Sequence, residues 1–66
     1  MADLTPRQQQ IVDEAIKLMA DGGIQQLTMN NIAQQIGISE PAIYRHFKNK
    51  KEILLTILAQ FKRRSK

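Results

Sequence analysis

Apolar residues along the chain recur every three or four positions, the spacing of one face of a helix, and no stretch reads as a strand. The first stripe, Ile11, Val12, Ala15, Ile16, Leu18 and Met19, predicts a helix opened by Thr5-Pro6-Arg7-Gln8. Thr5 caps it, Pro6 takes the first helical position, where a missing N–H costs nothing, and Gln8 completes a capping box. Asp21-Gly22-Gly23 stops it. A second helix runs from a Thr28 cap to Ile36 and buries Met29, Ile32, Ala33 and Ile36. A third starts at Ser39 with Pro41 in its first turn, and places Ile43 and Phe47 one turn apart on a single face. Asn49 caps a fourth, with Glu52 as its capping-box partner. The expected fold is an all-α small helical bundle without linker, repeat or low-complexity segment, and the run Lys62-Arg63-Arg64-Ser65-Lys66 is expected to fray.

Within this frame, Ile32 to Phe47 meets the steric needs of a helix-turn-helix. Ala33 is small enough for two helices to cross closely. Gly37, four residues on, stands where the chain must leave the second helix in a left-handed turn, and Ile43, six beyond, plugs the third helix into the second. Ile32, Ile36 and Ile38 fill the apolar positions around it. A plain helical hairpin accounts for any one of these features but not for all three in register. The reading is a homeodomain-like three-helix core plus the start of a fourth, connecting helix, with the third helix reading DNA.

The fourth helix carries more apolar surface than its neighbours need. Ile53, Leu54, Ile57, Leu58 and Phe61 span an arc of about 140°, enough to pack on the first helix, and Leu55 widens it to about 200°. Two explanations stand: a scattered surface leucine, or a helix that continues into a further domain.

With 66 residues and no cysteine, the core must be helix on helix, since neither a disulfide nor a thiolate zinc site can staple it. The single His46 cannot build a metal site alone, and no cofactor is expected. No apolar run approaches the roughly 20 residues of a membrane span, and Met-Ala-Asp-Leu-Thr does not open a signal peptide, so the cytoplasm is the expected compartment and no membrane partner is expected. An enzyme needs a nucleophile with a base, or paired carboxylates in a cleft. Here six acids are scattered around one histidine, and no enzymatic activity is expected.

Charge sharpens this picture. The net charge is +4, and its distribution is polar. Residues 1–33 carry Arg7 and Lys17 against Asp3, Asp13, Glu14 and Asp21, a balance of −2, whereas residues 34–66 carry eight bases against Glu40 and Glu52, a balance of +6. Basicity begins where the second helix of the motif would meet a duplex, which fits a phosphate footprint. Lys48, Lys50 and Lys51 crowd the start of the fourth helix, where the macrodipole disfavours cations by roughly 0.3–1 kcal/mol each. A phosphate there reverses the balance by accepting the free first-turn N–H groups and pairing with the ammonium groups. The competing reading is a basic helical module that binds an acidic protein or an anionic membrane by charge alone.

The run Tyr44-Arg45-His46-Phe47-Lys48-Asn49-Lys50-Lys51-Glu52-Ile53-Leu54, preceded by the capped second helix, Ile32-Ala33 and the Gly37 turn, resembles the DNA-binding domain of the TetR family of bacterial transcriptional regulators. The resemblance is close from Leu27 to Leu54. One departure is Pro41, where many members carry a glycine. It implies that residues 1–66 form a single TetR-type domain. It also implies a parent protein that is a homodimeric repressor, with an inducer-binding and dimerisation domain that is C-terminal and absent here, so that these 66 residues alone are monomeric. By the same resemblance Thr28 contacts phosphate, Tyr44 and His46 reach the DNA backbone, and Lys50 clamps a phosphate. Double-stranded DNA is the implied partner.

Base reading falls to the start of the third helix. Arg45 suits a guanine O6/N7 edge, Pro41 or Ala42 a thymine methyl, and Glu40 a cytosine N4 amine. Each has a quieter alternative: Glu40 favours the helix dipole, and Arg45 can hold phosphate without reading sequence. Asn30 on the second helix is a weaker candidate.

Overall fold

The structure, a computed structural model, describes residues 4–64, with side-chain burial for 4–62. Four α-helices form: α1 (Pro6–Gly22), α2 (Met29–Ile36), α3 (Glu40–Tyr44) and α4 (Lys50–Arg64). The expected all-α architecture is the observed one. Local chemistry accounts for the first boundary. Thr5 Oγ1 accepts from Gln8 N at 3.1 Å while Gln8 Oε1 accepts from Thr5 N at 3.0 Å, so two orphan donors are satisfied reciprocally. Past Gly22 the chain turns at Gly23 (φ 86°, ψ 177°) into a single 3₁₀ turn, Ile24–Gln26, which apolar periodicity does not signal.

The core is wholly apolar among the described residues. Ile11, Val12 and Ala15 of α1, Leu27, Met29, Ile32 and Ala33 around α2, Ile43 of α3, Phe47, and Ile53 and Ile57 of α4 make one cluster, with Ile36 and Ile38 packed at its edge. α2 and α4 both pack on α1, and α3 packs on α2. The helix-turn-helix of α2 and α3 therefore forms one block, and α4 is seated on α1, outside that block.

Three expectations need correction. First, α3 ends at Tyr44, so Arg45 is its C-cap, and His46 and Phe47 lie in the connection to α4. The ladder tightens there: the N–H groups of His46 (2.9 Å) and Phe47 (3.0 Å) both donate to the Ile43 carbonyl, a shared bond that closes a helix rather than extending it. Second, Leu58 and Phe61 do not pack fully on α1 but stay 55% and 56% exposed, beside Leu55 at 54%. Two helical turns of α4, seated by Ile53 and Ile57, satisfy the α1 surface. Third, Glu52 completes only half of the expected box. Its N–H donates to Asn49 Oδ1 (3.0 Å), but its carboxylate accepts from Lys48 N (2.9 Å) instead of Asn49 N. Residues 65–66 of the basic tail lie outside the described residues, and α4 is helical through Arg64.

Candidate nucleic-acid interface

α3 owes its outward face to one buried residue. Ile43 is fully buried, so at about 100° per residue Arg45 stands about 200° away, opposite the core. Pro41 lies one turn before Arg45 on the same outer line, and both are exposed. Glu40 and Tyr44 form one flank, and Ala42 and His46 the other, each pair four residues apart. Tyr44 is 48% exposed although its ring is large and apolar. Arg45 keeps helical dihedrals (φ −70°, ψ −25°) and its N–H reaches the Pro41 carbonyl at 3.2 Å, so its position past the helix end does not swing it off the outer line. Pro41, Tyr44 and Arg45 are thus exposed on the outer side of this segment, while Glu40, Ala42 and His46 are half-buried along its edges.

The approach to α3 is set by Gly37. Its left-handed backbone (φ 86°, ψ 30°) lets the N–H groups of Gly37 and Ile38 both donate to the Ala33 carbonyl, at 2.8 and 3.0 Å, and the chain reverses at once into Ser39. Ser39 occupies the N-cap of α3, yet its hydroxyl makes no capping hydrogen bond. Sequence reading alone treats it as a simple helix start.

Thr28 and Asn30 sit at the opposite end of α2 from the Gly37 turn, both exposed. Thr28 Oγ1 accepts from Asn31 N at 3.0 Å, which leaves the hydroxyl proton for an outside acceptor. Capping and phosphate contact are therefore compatible in one side chain. Asn31 is the supporting residue that composition did not single out: its Nδ2 donates to the Gln26 carbonyl at 2.8 Å and ties the 3₁₀ turn to the cap. The Thr-x-x-Asn spacing is the only sequence signal for it.

At the start of α4, Lys48, Lys50 and Lys51 are all exposed. Asn49 Oδ1 takes the Glu52 N–H and the Glu52 carboxylate takes that of Lys48, while the first-turn N–H groups of Lys50 and Lys51 find no acceptor among the described residues. The one ion pair among the described residues is Lys17–Glu14 on α1, at 3.6 Å. Arg45, Lys48, Lys50 and Lys51 therefore carry charges that no carboxylate of the described residues pairs. Unpaired cations beside open amides are what an incoming phosphate needs.

Comparison with known proteins settles the family. The pattern of the bacterial regulatory proteins of the tetR family matches residues 11–57, from the middle of α1 to the buried Ile57. The chain belongs to the TetR family. It is similar to the fatty acid metabolism regulator protein of Bacillus subtilis, 35% identical over 60 residues that make up 91% of this chain and 31% of that protein. A helix-turn-helix-type transcriptional regulator of Staphylococcus aureus is 35% identical over 68 residues, 91% of this chain and 37% of its own length. The class C tetracycline repressor protein of Escherichia coli is 39% identical over 44 residues, 67% of this chain and 20% of that protein. The chain thus spans little more than a third of the length of these relatives, or less. No solved structure matches it. This TetR-family chain is the DNA-binding domain of a transcriptional regulator. Among its described residues no helix is long and apolar enough to cross a membrane.

Proposed function

We propose that this domain binds double-stranded DNA in a sequence-dependent way, with the outer face of α3 in the major groove and phosphates held on both sides of it. Arg45, Pro41, Ala42 and Glu40 meet base edges, and Asn30 lies at the margin of the contact. Thr28, Tyr44, His46, Lys48 and Lys50 hold the backbone. The observation that carries the reading is the coincidence of exposed Pro41, Tyr44 and Arg45 on one short segment with unpaired cations and open amides just after it.

The parent protein is a cytoplasmic, non-enzymatic repressor that acts as a homodimer, and a small-molecule inducer binds its C-terminal domain. Residues 1–66 form one domain and are monomeric alone, with Leu55, Leu58 and Phe61 as the exposed large apolar side chains of α4. A lone domain then holds one half-site, near the ~10⁻⁴–10⁻⁶ M range of non-specific binding at physiological salt.

The test is a titration of a duplex selected from random sequences, labelled and challenged with its own scrambled sequence at fixed salt. Sequence-dependent binding leaves the scrambled competitor the weaker of the two. Equal competition, or equal capture by anionic vesicles, favours the charge-only module instead.

A further inference from the structure

We propose that Gln9 and Gln60 are positioning residues for the phosphate clamp at the start of α4, an inference that rests on the clamp reading above. Gln60 Nε2 donates to Gln9 Oε1 at 2.9 Å across 51 residues of sequence, and Gln9 Nε2 donates to Asp13 Oδ1 at 3.0 Å. The chain has a fixed polarity. An ionised carboxylate only accepts, so Asp13 draws the amide NH₂ of Gln9 toward itself and turns the Gln9 carbonyl oxygen to face Gln60.

The bond is not needed to dock α4, because Ile53 and Ile57 are already buried against the core. Burial of aliphatic side chains is non-directional, so that seat resists separation far more than tilt. A hydrogen bond is directional, and this one joins α1 to α4 beyond the seat, beside the shallow cleft lined by Asp13, Ile16, Ile57, Gln60 and Phe61. It therefore sets the angle of α4.

That angle matters at the other end. α3 and α4 are joined by the short link that Phe47 anchors, but α4 rests mainly on α1 while α3 rests on α2, so the tilt of α4, and with it the direction in which Lys50 leaves that link, is set by the α1–α4 contact. Lys50 and Gln60 lie on opposite sides of the Ile53–Ile57 seat, about 15 Å apart along the axis. A tilt of about 10° about that seat moves the start of α4 by about 1 Å, which the Lys50 side chain must make up by a less favourable reach to the phosphate.

The experiment compares the 66-residue protein with Lys50→Ala, Gln60→Leu and the double variant, by anisotropy of a labelled mixed-sequence duplex across a salt series. Circular dichroism follows helix content and melting. In the unsubstituted background Lys50→Ala lowers the salt slope by about 0.9. Gln60→Leu keeps its helix content, loses about two- to tenfold in affinity and lowers the slope as well. In the double variant, the further loss from Lys50→Ala is less than about half its usual size, since a misplaced lysine has little left to lose. Gln9→Leu removes the other end of the same bond and reproduces the pattern, which also covers the case in which Gln60→Leu fails to fold. Full additivity, a wild-type slope in Gln60→Leu, or a divergent Gln9→Leu overturns the positioning role. If Lys50→Ala alone changes nothing, the clamp itself fails, and the positioning role falls with it.

Discussion

The backbone N–H of Phe47 donates to the carbonyl of Ile43 at 3.0 Å, and both side chains are buried although only Ile43 lies within α3. This one-turn step past the end of the helix anchors both ends of the segment that presents Tyr44, Arg45 and His46. Removing either anchor loosens the whole outer face.

Ile43→Ala is therefore expected to cost about 2–5 kcal/mol, by lost burial and the cavity left behind. A domain of this size holds on the order of 3–10 kcal/mol in total, so the variant loses a large part of its stability. Leu58→Ala, at a residue 55% exposed, is expected to stay within about 0.5 kcal/mol. Urea midpoints measured on both decide the point. Equal losses would mean that the apolar face of α4 is packed in solution.

The two left-handed glycines respond differently to asparagine. Gly37 has φ 86° and ψ 30°, and an added Cβ there meets nothing within 4 Å, so the cost of Gly37→Ala is backbone strain alone, about 1–2 kcal/mol. Gly37→Asn is expected to recover much of it, because asparagine tolerates this region. Gly23 has the same φ but ψ 177°, a region open essentially to glycine only, so alanine and asparagine are both expected to cost about 1–3 kcal/mol. Melting curves of the four variants test this. An asparagine rescue at Gly23 would contradict it.

The same glycines show what can be read from sequence. Gly37 was legible because an alanine four residues before and an isoleucine six after fix what the turn must do. The α1 cap was legible because Thr5 and Gln8 satisfy each other locally. The 3₁₀ turn at Ile24–Gln26 was not, since three residues carry no periodicity. The early end of α3 was hidden because Ile43 and Phe47 keep helical spacing whether or not the ladder continues between them. Apolar spacing on α4 showed which residues share a face, but how much of that arc α1 can cover is a matter of tertiary packing. The ten candidate contacts could be named from the sequence, but the exposure of the six on the α3 segment, three open and three half-buried, needed the packing of that segment around Ile43.

Arg45 lies on the outer line, opposite the buried Ile43, and it reads a base edge in the proposed complex. Arg45→Ala is then expected to cost about 1–3 kcal/mol on the preferred duplex and much less on a duplex altered at the one base pair it reads. Affinities of both proteins on the preferred site and its single-base variants, at one salt concentration, separate the alternatives. A uniform loss on every duplex would assign Arg45 to phosphate and leave specificity to Glu40, Pro41 and Ala42.

The central claim is that α3 and the starts of α2 and α4 form one DNA-binding face. Backbone amide resonances of the 66-residue protein, followed through titration with the selected duplex, test it most directly. Shifts concentrated at residues 28–31, 39–46 and 48–52, with residues 9–20 of α1 nearly unmoved, are the expected result. Shifts centred on residues 55–61 and the facing side of α1, with α3 silent, would contradict it.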